Sequence, residues 1–529
     1  MCGIAVAVDW QGADAVVRQL IQGILHRGDI TDPPVSPRPN IAMGTRRLRI
    51  VDAEHGEQPV ASHDGRLLIS FNGEIYNHAE LRQELEQSGI TFRTRTDTEV
   101  LVNALQVWGA QALKRLKGMY AFVVVDTETG EFLAARDPFG VKPLYLIQSG
   151  QSFLFCSEIT PLLAAVPAAE VMLLPPGYLL TRNFARQFYH LPAPGSYHKG
   201  SPRALDLALS EAVRIRIPPD LPFASLFSGG IDSTLVTHYA RRHRPEMPAY
   251  IIAGRDAPDY RYAKAYADAT RLDLREVAFE ARNRETLPLL EIVAQTIEAF
   301  EPAIVRPALY GYLLAQRIHR DGFKVALCGE GADELFAGYG PLEHTFAQNN
   351  ALGRHVQEQC LSMMHRANLQ RVDRTGMRFE LEIREPFLDA DLVEYAAGLD
   401  ASALLAHVEG LPQGKQPLRA LYDLHPELPT VIRDRKKVHF DEGAGIGSET
   451  AGWTSLFEEA VSDAEFADGR KQFAAFDLAG KEEFFYLRAL AKTMDVNRVA
   501  HLKARTRLYV PQGTEAMPDA MKRITPASA

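Results

Sequence analysis

Cysteine is scarce in this chain: four in 529 residues, at Cys2, Cys156, Cys328 and Cys360. Their spacing builds neither a disulfide framework nor a zinc site, and it suits a reducing, cytoplasmic setting. Long apolar runs are also missing. No stretch approaches the roughly 18 residues that a membrane-crossing helix needs. The first residues carry no basic segment ahead of an apolar one, and Asp9 interrupts the early apolar stretch, so no signal peptide is expected. Strong charge of either sign is lacking. A net charge of −9 over this length argues against nucleic acid or an anionic membrane as a partner. Internal repeats and low-complexity tracts are absent too. What remains, 46% hydrophobic and 24% charged residues, is an ordinary globular composition in a chain long enough for two domains.

The pattern changes near residue 189. Before it, short apolar runs alternate with turns. "AFVVVDTETGEFLAARD" (121–137) and "KPLYLIQSGQSFLFCSE" (142–158) each read as two strands around a tight turn. "LLISFNGEIYN" (67–77) reads as a strand entering a turn, and a helix is predicted over 96–109, where Val100, Leu101, Ala104, Leu105 and Trp108 share one face. Residues 189–203 are rich in proline, glycine and serine and read as a linker. Beyond it, short buried strands ("FASLF", 223–227; "AYIIAG", 249–254; "KVALCGEG", 324–331) alternate with helices predicted over 233–243, 260–272 and 306–320. This alternation predicts a doubly wound α/β domain with a parallel sheet, followed by further helices. The expected division is a domain over 1–188, a linker over 189–203, a second domain over 204–510 and a loose tail over 511–529.

"LFSGGIDST" (226–234) follows a buried strand and opens a helix. Such a turn aims several backbone N–H groups at one point, where the helix N-terminus adds positive potential. Gly229 and Gly230 let the backbone approach a phosphate, Ser228 and Ser233 add hydroxyls, and Asp232 can hold Mg²⁺. The Walker spacing is not met. The stretch resembles the pyrophosphate loop of the ATP pyrophosphatases, enzymes that cleave ATP between its α and β phosphates and leave an adenylated intermediate.

Cys2 raises a second possibility. A thiol with a reference pKa near 8.5 is only about 3% thiolate at neutral pH, so it needs a base to act as nucleophile. Removal of Met1 would put an α-amine, of reference pKa roughly 7.7–8.0, on the same residue; retention of Met1 would deny it. The opening Cys-Gly-Ile resembles class II glutamine amidotransferases, which hydrolyse glutamine with an N-terminal cysteine. "RRLRIVD" (46–52), "FNGEIYN" (71–77), "RTDTE" (95–99), "HRGD" (26–29) and "RDPFGVKPLY" (136–145) are landmarks similar to that family's, in its order. The resemblance implies an N-terminal-nucleophile αββα sandwich. In it Arg47, Ile50, Glu74 and Asp97 hold glutamine, and Asn72 and Gly73 form the oxyanion hole.

Cys2, then SGGIDS, then "CGEGADELFAGY" (328–339) is the order of the glutamine-hydrolysing asparagine synthetases, and this similarity runs over nearly the whole chain. It implies ATP and Mg²⁺ as cofactors and glutamine, ATP and a carboxylate acceptor, aspartate in the first place, as substrates. Homodimers are common in that family. It also implies Asp333 as the second Mg²⁺ ligand beside Asp232, Glu330 beside the acceptor and ammonia, Gly329 and Ile252 at the nucleotide, and Lys437 of "RKKVHFDEGAG" on the leaving pyrophosphate. Arg306 in "EAFEPAIVRPALY" (298–310) matches an arginine that pairs the acceptor carboxylate. Departures cluster there. Ala303 and Ile304 replace paired threonines, Glu385 replaces a small apolar residue in "LEIREPFLD" (381–389), and Thr45 and Asp29 stand where histidine and proline are usual. Amidation of another carboxylate, a cyclising ligase and a non-catalytic relative are the alternatives. Retention of Cys2, Asn72, Gly73, Asp232, Asp333 and Lys437 weighs against the last two, and the SGGIDS loop excludes the phosphoribosyl amidotransferases.

Overall fold

In a computed structural model, residues 2–192, 197–252, 257–279, 284–435 and 452–504 are described. Two antiparallel sheets dominate the first third. In one, the opening strand Cys2–Val8 lies between Ile41–Arg47 and Ser152–Cys156; in the other, Leu67–Ile75 pairs with Gly118–Asp126. The two predicted hairpins are present, as Gly118–Asp126 with Phe132–Arg136 and Tyr145–Ser149 with Ser152–Cys156.

The opening strand has no polar residue beyond Cys2 because both its faces are covered. Ile4, Val6 and Val8 point into the layer between the sheets, beside Met43, Val123 and Phe155. Ala5 and Ala7 face the helices Ala13–Gly23 and Ile159–Ala165. Across the sandwich, Leu81, Leu85, Val100 and Leu101 cover Ile69 and Phe71. The layers thus run helix, sheet, sheet, helix.

The second half is built on a parallel five-stranded sheet. Its order is Leu274–Val277, Ala249–Ile252, Ala224–Leu226, Val325–Leu327, Glu382–Arg384. Strand order reverses beside Ala224–Leu226, so a crevice opens at the carboxyl ends of that strand and Val325–Leu327. The helix predicted from 306 starts earlier, at Pro302, and carries Pro307 inside it. Proline at the first turn suits a helix start, which places the true N-terminus at the first of the two prolines. Ser201 caps a helix starting at Pro202, so helical structure begins within the stretch read as linker. Ahead of it, His198 bridges Leu399.

The halves meet through buried charge. Arg27 pairs with Asp373 at 2.8 Å and with Glu158 at 3.0 Å, and Arg374 reaches Glu158 at 3.2 Å and Glu298 at 2.7 Å. Among the described residues, no helix is long and apolar enough to cross a membrane.

Candidate active sites

Cys2 starts the opening strand directly opposite Arg47. Its amide donates to Asn72 Oδ1 at 3.0 Å, which fixes the Asn72 side chain beside it. Asn72 is fully buried, and its Nδ2 has no hydrogen-bond partner among the described residues. A buried amide N–H without a partner is costly, and here it is a donor ready for a developing oxyanion. Gly73 follows on the same strand. A Cβ there would come within 2.1 Å of the Met119 carbonyl oxygen, so only glycine fits. Burial pushes the Cys2 thiol up, a rise that the Leu48 amide and Arg47 offset only in part.

The expected glutamine-binding residues gather around this thiol. Arg47 is buried, with its fork on Asp32 at 2.8 and 3.1 Å. Asp97 accepts from the Ile75 amide at 2.9 Å. Glu74 accepts from Arg384 Nη2 at 2.9 Å. Burial pushes both carboxyls up; Arg384 holds Glu74 partly down, and the Ile75 amide does the same for Asp97. Ile50 packs against Leu48 and Met377, the latter from the second half. Sequence reasoning missed Asp32, Arg384 and Gln58, whose Nε2 lies 3.9 Å from Cys2 Sγ. Of these only Arg384 lay in a motif, "LEIREPFLD", and nothing in that motif points across to Glu74.

The second site fills the crevice at the parallel sheet. Gly229 adopts φ 68°, and a Cβ on it would meet the Ala263 amide nitrogen at 2.5 Å. Ser233 Oγ accepts from the Ser228 amide at 3.2 Å, and Ser228 Oγ accepts from the Gly230 amide at 3.3 Å, which shapes the loop. A cavity of about 550 Å³ lies in front of it. Ser228, Asp232, Ser233, Ile252, Arg306, Gly329, Glu330 and Asp333 all line it. Residues predicted from four separate stretches therefore face one space. Lys437 lies outside the described residues.

Beside Asp232 and Asp333, buried Lys415 places its Nζ 2.6 Å from the one and 2.6 Å from the other. Two carboxylates around one cation position are a donor set that Mg²⁺ accepts, so the residues fit the expected metal. Glu330 accepts from Arg371 at 2.7 Å and from Asn368 at 2.8 Å. Four residues further along the chain, Glu334 takes the Tyr339 hydroxyl at 2.7 Å, and burial raises its carboxyl to about 7. Arg306 lines the cavity with its fork held by Glu482, whose Oε1 also takes the Tyr486 hydroxyl at 2.9 Å. Ala303 is exposed at the same wall, whereas Ile304 turns into the core. Glu385 is buried, and burial raises it to about 8. Lys415, Arg371, Asn368 and Glu482 had no sequence signal.

One strand connects the two sites. On Glu382–Arg384, alternate side chains face opposite ways. Arg384 and Glu382 pair at 2.6 Å, and Arg384 reaches Glu74, while Ile383 lines the cavity at the parallel sheet.

Comparison with known proteins follows the same division. Residues 1–183 match a glutamine amidotransferase domain, and residues 204–359 and 344–517 match the asparagine synthase family. The nodule asparagine synthetase (glutamine-hydrolyzing) of Pisum sativum is 31% identical over 84% of this chain and 79% of its own length. Asparagine synthetase 1 (glutamine-hydrolyzing) of Arabidopsis thaliana is 29% identical over 92% of this chain and 85% of its own.

Proposed function

Because the chain belongs to the glutamine-hydrolysing asparagine synthetase family, a family of glutamine-dependent carbon–nitrogen ligases, we propose that it converts aspartate to asparagine through a β-aspartyl adenylate. The convergence of the phosphate loop, two bridged carboxylates and Glu330 on one cavity carries this reading.

The Cys2 sulfur attacks the side-chain carbonyl of glutamine. Asn72 Nδ2 and the Gly73 amide receive the oxyanion, ammonia leaves with a proton, and water hydrolyses the thioester to glutamate. In the cavity, a carboxylate oxygen of the acceptor attacks the α-phosphorus of ATP and pyrophosphate leaves. Ammonia then attacks the acyl carbon and AMP departs. Ser228, Ser233 and the loop amides hold phosphate oxygens, and Glu330 accepts the proton shed by the attacking ammonia. Asp232 and Asp333 would hold Mg²⁺, which supplies charge neutralisation at the phosphates.

A second reading has its own observation. Ala303 offers no hydroxyl at the acceptor wall, and Arg306 is engaged by Glu482, so a carboxylate other than aspartate is the competing acceptor. Exchange of labelled pyrophosphate into ATP, screened over carboxylic acids, separates the two. Exchange driven by aspartate is expected. Exchange with another acid alone replaces the acceptor and keeps the chemistry; formation of ADP and orthophosphate refutes both.

A further inference from the structure

A cluster away from both sites has the donors of a metal centre. His238 lies on the helix Ile231–His243, two turns beyond the phosphate loop. It meets His425 and Glu427 from the segment that follows the turn Leu421–Asp423. One ligand atom from each lies within 4.8 Å of the others. His238 Nε2 is 3.3 Å and His425 Nδ1 3.8 Å from Glu427 Oε1. Ligand atoms around a tetrahedral zinc stand about 3.4 Å apart, so two of the three separations are already near that value.

Two further observations point to a ligand. His238 is 7% exposed, and its Nε2, aimed at Glu427 and His425, has no hydrogen-bond partner among the described residues. His425 is oriented from behind. Its Nε2 sits 2.5 Å from Asp206 Oδ1, which also accepts from the Tyr239 hydroxyl at 2.7 Å. A carboxylate taking the Nε2–H leaves Nδ1 as the acceptor, in the way carboxylates orient metal-bound histidines. Arg242 now donates to that Nδ1 at 3.0 Å. Its side chain is 42% exposed and can swing outward.

We propose that His238 Nε2, His425 Nδ1 and the Glu427 carboxylate bind a divalent transition metal of the zinc class, with Asp206 positioning His425 and water completing the shell. Two imidazoles and one carboxylate favour zinc over Mg²⁺ or Ca²⁺. The ion would tie the helix that begins at the phosphate loop to the 425–427 segment.

The test uses the full chain in a Cys2→Ala background, which removes the reactive thiol as a zinc ligand. After chelation and dialysis into metal-free buffer with excess Mg²⁺, the protein is titrated with Zn²⁺ alone. Bound metal is counted by elemental analysis, and Co²⁺ is added separately for its visible spectrum. One zinc per chain and a tetrahedral Co²⁺ spectrum are expected. Glu427→Gln, at a half-exposed position that leaves the metal-free melting temperature unchanged, should weaken binding at least tenfold. Asp206→Asn should weaken it about tenfold, and Arg242→Gln should tighten it. A chain that holds no zinc, or a Glu427→Gln variant that binds as tightly as its parent, overturns the site.

Discussion

Asn72 shows how much one side chain carries. Its oxygen is spent on the Cys2 amide and its nitrogen is left for substrate. Replacing Asn72 by Ala should lower glutamine-driven turnover by about 10²–10³, the usual worth of one oxyanion donor, while turnover with added ammonia survives; parallel assays with the two nitrogen sources check it. Glu334 makes a pH prediction. Its folded value of about 7 lies above its ordinary 4.5. Between those values the folded chain keeps a proton that the unfolded chain releases, so its contribution to stability falls as pH rises through that window, by up to about 3 kcal/mol. Glu334→Gln should flatten the fall, read by urea unfolding at pH 5, 6 and 7.5. At this scale legibility was uneven. Cys2, Asn72 and Asp232 stood in recognisable runs. Gln58 and Lys415 did not, because their partners, Cys2 and Asp232, are 56 and 183 residues away in the chain.

Elements were more legible than their contacts. The hairpins were readable because apolar runs flank short polar turns, and the strand before SGGIDS because it is short, apolar and followed by glycines. Helix starts slipped by several residues where two prolines competed, as at Pro302 and Pro307. The turn at 228–230 leaves little room for change. Gly229→Ala would place a Cβ against the Ala263 amide in a left-handed conformation. The loop must shift, and misplacement of about 1 Å can cost 10²-fold in rate. Pyrophosphate exchange should fall by about that factor, with glutaminase activity preserved; loss of both would mean the domain no longer folds.

Across the whole molecule, the two-domain plan and the α/β class followed from composition and patterning, but the seam between the halves did not. Arg27, Glu158, Asp373 and Arg374 read as ordinary charges in sequence and are buried together in space. Arg384 is the contact with the clearest consequence. Arg384→Met would strand Glu74 as a buried carboxyl without its ion-pair partner, a loss of about 3–5 kcal/mol. With its proton held more tightly, Glu74 would grip the substrate amine less well. KM for glutamine should therefore rise and worsen as pH falls, while KM for ammonia stays; an equal rise in both would assign the contact to stability alone.

Lys415, lodged between Asp232 and Asp333, has a consequence for how the nucleotide arrives. The two carboxylates share a counter-ion on a tether of the chain itself. On the proposed function, a magnesium nucleotide would compete with that ammonium for the two carboxylates, and a displaced Lys415 would find the phosphates as its nearest new company.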